Sequence, residues 1–205
     1  MTQSKIIRHK TIDRIFHWLF AVAIMVLLAS GLLPFFGVRS SLILIHWVCG
    51  LILTGLLLIH ILRSVFWKGL GRIWFSRSDL VLNKTKSGKS KSGKYSLAQK
   101  LMHQLIACLT LAGIVTGLLM LVRIDTPFWE RDPYWLTAAS WGIIYFIHGL
   151  VALSFISAIM LHVYFSLRPE SRMYLRSMFK GWITEEEFSR KHDAQLWKAE
   201  TEQDR

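Results

Sequence analysis

The segment Tyr134–Leu167, YWLTAASWGIIYFIHGLVALSFISAIMLHVYFSL, decides the fold. It runs for 34 residues without Asp, Glu, Lys or Arg, yet it carries two histidines, His148 and His162. A helix needs roughly 20 apolar residues to cross a hydrocarbon layer of about 30 Å, so this stretch spans with turns to spare. Three others share its character: Ile15–Val38, Ser40–Leu62 and Leu101–Val122. With 53% hydrophobic residues gathered into such blocks, little of the 205-residue chain is left for a soluble domain. The expected fold is all-α, an integral membrane four-helix bundle forming a single unit over residues 1–205. Its spans are expected at about 15–36, 42–65, 101–122 and 139–166. The first stretch exceeds the usual apolar core of about 7–15 residues in a signal peptide, and no A-x-A site follows Pro34, so it is expected to remain as a span. Thr11 is a possible N-cap for its helix. The two cysteines, Cys49 and Cys108, lie within apolar spans and read as packing residues, not as a disulfide framework.

Charge orients the chain. The net charge of +12 would suit a nucleic-acid partner if it formed one patch, but it is distributed around the spans. Lys5, Arg8, Lys10 and Arg14 precede the first. Ten cations from Arg63 to Lys100 lie between the second and third. The first-to-second loop offers only Arg39, and in the third-to-fourth loop Arg123 and Arg131 are balanced by Asp125, Glu130 and Asp132. Lys and Arg accumulate on the cytoplasmic side, so both termini are expected inside, with a cytoplasmic loop at 67–100 and a helical cytoplasmic tail at 168–205. The run from Lys84 to Lys94 reads as a solvated loop beside anionic lipid, and no nucleic-acid partner is expected. The Asp125–Trp135 loop, with two Trp and two Pro, suits the interface.

Five histidines, His17, His46, His60, His148 and His162, lie in or at the edge of spans, where ionisable groups are costly and usually functional. His148 and His162 are 14 residues apart, about 21 Å of helical rise and almost the same helix face. His46 and His60 repeat that spacing. Topology makes His46 and His148 outer and His60, His162 and His17 inner. Neutral imidazole is a good axial ligand for haem iron, and a haem between two helices can take one from each. The outer pair is then His46 with His148. For an inner haem, His162 has two possible partners, His17 and His60, and spacing does not choose between them. Zinc would require ligands gathered in one place, whereas these sort into two depths. His103, at the start of span three, is a weaker candidate for a supporting role; His9 and His192 read as surface residues. Gly113 and Gly117 have the small-x-x-x-small spacing of close helix packing, which could also make room for a flat cofactor.

Three segments carry a family resemblance: Asp13-Arg-Ile-Phe-His-Trp18, Ile45-His-Trp-Val-Cys-Gly50, and Ile147-His148 followed by His162-Val-Tyr164. With Gly93-Lys-Tyr-Ser-Leu-Ala-Gln-Lys100, they resemble the gamma subunit of membrane-bound respiratory formate dehydrogenase, over nearly the whole chain. The likeness shades into the cytochrome b subunits of hydrogenase and thiosulfate reductase. It implies two haem b groups with His17 paired to His162 and His46 to His148, leaving His60 as a departure. It implies a bacterial inner-membrane subunit that takes electrons from an iron–sulfur subunit attached to a catalytic subunit. It also implies a quinone-reducing site in this chain near the cytoplasmic face, at Tyr95, Ser96, Ala98, Gln99 and His162. Ser96 and Ala98 replace the Asn and Gly of the resembled segment.

Overall fold

The computed structural model describes residues 4–38, 42–68, 74, 91–197 and 200–201. It is mostly helical, and four helices are long and apolar enough to cross a membrane. Helix α1 (Thr11–Leu32) starts where the Lys10 carbonyl accepts from the amides of Asp13 and Arg14 at 3.0 and 3.3 Å. Thr11 is therefore the first helical residue, one position inside the cap. A 3₁₀ turn over Leu33–Phe36, with Pro34 near its start, ends the span; Gly37 closes it at φ 85°, a left-handed conformation that costs glycine little. Helix α2 covers Ile43–Arg63 and runs into a single π turn, Ser64–Lys68.

Helix α3 (Leu97–Leu121) begins with a reciprocal cap. The Ser96 amide donates to Gln99 Oε1 at 3.0 Å, and the Gln99 amide donates to Ser96 Oγ at 3.3 Å. Helix α4 covers Ala138–Leu167 and stops ahead of Pro169, with Arg168 already extended at ψ 141°. These helices turn large apolar side chains outward: Val22 is 60% exposed, Ile143 61% and Phe146 71%. In water such surfaces would drive association; in lipid they are the solvated faces.

The chain divides into two compact units. The first, Trp18–Arg63 with Leu105–Ile159, is a bundle of segments from all four long helices. Its core is Ala23, Ile24, Leu53, Val151 and Phe155, with Cys49 and Ala112 among the residues packed against it. Cys49 and Cys108 are both free thiols; Cys49 packs at this core, but Cys108 faces outward.

The second unit comprises Met1–His17, Ser64–Gln104 and Met160–Arg205. Here the structure corrects the all-α expectation. Strand β1 (Lys5–Ile7) is the middle of a three-stranded antiparallel sheet with β2 (Trp182–Thr184) and β3 (Glu200–Thr201). Ile6 opposes Ile183, and both are buried with Met173 and Trp197. Helix α5 (Arg172–Lys180) supplies Met173, and helix α6 (Glu185–Lys191) begins at a capping box between Thr184 and Glu187. The tail is thus helix, strand, helix, strand. Strands of two and three residues are too short to show alternation, so charge alone read as helix.

His192 also departs from expectation. It is 2% exposed, not a surface residue, and accepts from the Arg8 guanidinium at Nε2 (3.0 Å) while donating from Nδ1 to the Gly93 carbonyl (2.8 Å). Arg8 itself is 1% exposed, with its guanidinium over the rings of Tyr174, Tyr95 and Trp197. Burial, the Arg8 cation and the Lys191 cation push His192 down to about 4, against the opposing pull of the Gly93 and Ser92 backbone bonds. His9 is half-buried with its ring facing Tyr95, and burial with the Arg8 and Lys94 cations pushes it to about 3. Arg39 and most of the basic run from Lys84 to Lys94 lie outside the described residues.

Candidate functional site

In the bundle unit, α2 contributes His46 and α4 contributes His148, with ring centroids 6.2 Å apart and planes at 71°. In the second unit, the start of α1 contributes His17 and the end of α4 contributes His162, with centroids 6.2 Å apart and planes at 52°. The structure brings together both pairs named from the sequence. His60 lies in the bundle unit with its ring edge-on to Phe20 at 5.8 Å. His103 is on the exposed side of α3.

The shared spacing has a simple meaning. A metal–imidazole bond is about 2.0–2.1 Å, so nitrogens on opposite sides of one iron stand about 4 Å apart. Ring centroids, set back by roughly another ångström each, then stand about 6 Å apart. A direct imidazole–imidazole hydrogen bond would bring them closer. Each pair is therefore too far apart for a direct hydrogen bond and leaves room for a metal between its rings.

The surroundings of the bundle pair fit the same group. Thr116 Oγ1 lies 2.7 Å from His148 Nδ1, and Ser30 Oγ lies 3.0 Å from His46 Nδ1. Both bonds engage Nδ1 and leave Nε2 for a ligand. Beside each ring is a glycine: a Cβ on Gly31 would stand 3.2 Å from His46 Cε1, and one on Gly117 would stand 3.4 Å from His148 Cε1. Among the described residues no group of three or more His, Cys, Asp or Glu converges, so a closed zinc-type site is not what these side chains build. A histidine pair with small residues beside it, as His46 and His148 have, fits a flat, two-sided cofactor.

The residues of the implied quinone segment have structural employment. Ser96 and Gln99 close the α3 cap, and Gln99 Oε1 also accepts from Arg8 at 3.5 Å. Tyr95 lies under the cations of Arg8 and Lys94 and beside His9. Ala98 is in the first turn of α3, and His162 is the partner of His17 in the same unit. The S-x-x-Q spacing was readable as a cap; Ser30 and Thr116 carried a fainter signal, a hydroxyl followed by glycine within an apolar span.

No curated protein matches the chain. Residues 8–181 match the family described as prokaryotic cytochrome b561, which takes in all four helices and all five span histidines. The chain belongs to that family: it is a multi-pass bacterial membrane cytochrome b, binding haem b and transferring electrons.

Proposed function

We propose that the chain is the di-haem cytochrome b subunit of a quinone-linked respiratory oxidoreductase of the bacterial inner membrane, with formate dehydrogenase as its complex. The observation that carries this reading is the pair of imidazole couples, each at 6.2 Å, in two different units of one chain. His46 and His148 would hold one haem, and His17 and His162 the other. Haem iron, when bound, supplies one-electron transfer, and the protein's part is to place it and tune its potential. The 14-residue interval between His148 and His162, about 21 Å of helical rise, supports two haems at different depths.

The sheet supports placing both termini on one side, because β1 pairs with β2 and β3 of the tail. The cations clustered around the first span and the middle loop make that side the cytoplasm. An iron–sulfur subunit would be the electron donor on the outer side, and Tyr95, Ala98 and His162 would line the place where quinone binds on the inner side. Ser96 and Gln99 shape that place by closing the turn between Tyr95 and α3.

The family match, prokaryotic cytochrome b561, is shared by a second reading. This is a free-standing cytochrome b fed by a diffusible donor, or the corresponding subunit of a hydrogenase or thiosulfate reductase. A pyridine haemochrome assay tests the haem count: two haems per chain are expected, and one per chain would overturn the di-haem reading. Purification from the native membrane separates the partners. Iron–sulfur and molybdenum-containing chains should accompany the protein, and its isolation alone would favour the second reading.

A further inference from the structure

Each histidine of the bundle pair rests on a hydroxyl–glycine step of another helix. His46 on α2 meets Ser30-Gly31 of α1, and His148 on α4 meets Thr116-Gly117 of α3. The direction of the two hydrogen bonds follows from where the hydroxyl protons go. Ser30 Oγ donates to the Val26 carbonyl at 2.7 Å, and Thr116 Oγ1 donates to the Ala112 carbonyl at 2.7 Å. A hydroxyl has one proton; once it is given to the preceding turn, the oxygen acts as acceptor. The imidazole nitrogen facing it must then be the N–H, and the lone pair of the neutral ring falls on Nε2. Both hydroxyls are buried, Ser30 at 7% and Thr116 at 6% exposed, so water does not compete. At Gly31 the missing side chain helps the ring approach, since a Cβ there would stand 3.2 Å from His46 Cε1. Two helices each repeat the same two-residue device.

We propose that Ser30 and Thr116 are positioning residues that hold His46 and His148 in the Nδ1–H tautomer, each with Nε2 presented to haem iron. This rests on the reading that His46 and His148 are axial ligands. An acceptor on Nδ1–H fixes ring rotation and makes the imidazole a stronger donor, which favours the oxidised iron and lowers its potential.

The test uses the purified full-length protein with its native haem, in Ser30→Ala, Thr116→Val and Thr116→Ser forms, read by redox titration and low-temperature EPR. Thr116→Val and Ser30→Ala should each keep the bis-imidazole signature and raise the potential of one haem. The expected change is about tenfold in the reduction equilibrium, which for one electron is about 59 mV. Thr116→Ser should restore the native potential and g values. Unchanged potentials and g values in both hydroxyl-free variants would overturn the proposal. If Thr116→Val does not assemble, Thr116→Ser decides: a native potential supports the proposal, and loss of haem despite the retained hydroxyl overturns it. His46→Ala and His148→Ala separate the underlying reading. If either retains both haems with native spectra, the ligand assignment itself fails, whatever the hydroxyl variants show.

Discussion

His148 and His192 are the same residue in different employment. His148 has one ring nitrogen engaged, by Thr116, and faces a second histidine at 6.2 Å. His192 has both nitrogens engaged, Nε2 by Arg8 and Nδ1 by Gly93, and is ringed by Tyr174, Phe188 and Trp197. An iron ligand needs a nitrogen lone pair to spare; a structural histidine uses all it has. Counting nitrogens separates the two roles more sharply than counting histidines. It also shows why burial alone is a poor guide, since His192 is the more deeply buried of the two.

The largest effects that could break this contrast come from removing histidines. His148→Ala should lose one haem and keep the other, halving the haemochrome yield, whereas His192→Ala should leave the haem content unchanged. Loss of haem in His192→Ala would void the distinction. Within the spans, His17→Ala should lose the second haem and His60→Ala should keep both; the reverse would move the ligand from α1 to α2.

Removing the partner of the structural histidine comes next. Arg8→Met takes the donor from His192 Nε2 and from Gln99, and an unsatisfied buried polar group costs about 1–3 kcal/mol. The tail from Trp182 onward should become sensitive to limited proteolysis while the haem spectra stay native.

Acid should act on the same contact. The folded pKa of His192, about 4, is below the unfolded value of about 6.5, so the unfolded state binds the proton more readily. The docking of the tail is therefore fully stable above about pH 6.5 and is lost as pH falls toward 4, by on the order of 3 kcal/mol. Trp197, whose ring is 4.9 Å from His192, reports it: its emission, taken as the difference from Trp197→Phe, should change over that window in the native protein and not in His192→Gln.

The smallest effects belong to the glycines. Gly31→Ala places a Cβ 3.2 Å from His46 Cε1, so the ring must yield by a few tenths of an ångström, and overpacking costs about 1–3 kcal/mol. Alanine regains up to about 1 kcal/mol in helix propensity, leaving a small net loss and a shifted absorption band for one haem. Gly117→Ala, at 3.4 Å, is in near-ordinary contact and should be close to neutral. A larger effect at Gly117 than at Gly31 would show that the two steps are not equivalent.

What the sequence determined by itself is the membrane fold and a short set of candidate histidines. A bilayer admits few polar groups, so four uncharged stretches and five histidines among them stand out in one dimension. The pairing of His46 with His148 followed from the expected topology, but the choice between His17 and His60 did not. Only the tertiary structure put His17 and not His60 at 6.2 Å from His162, because which helix faces meet is set by packing all along the bundle. It alone decided that Ser30 and Thr116 meet the imidazoles, since a hydroxyl in an apolar helix reads the same whether it faces a ligand or bonds only its own backbone. The Arg8–His192 bond joins residues 184 positions apart, and the sheet around it is built from strands of two and three residues. Contacts that distant, between elements that short, leave no periodic trace for a sequence to show.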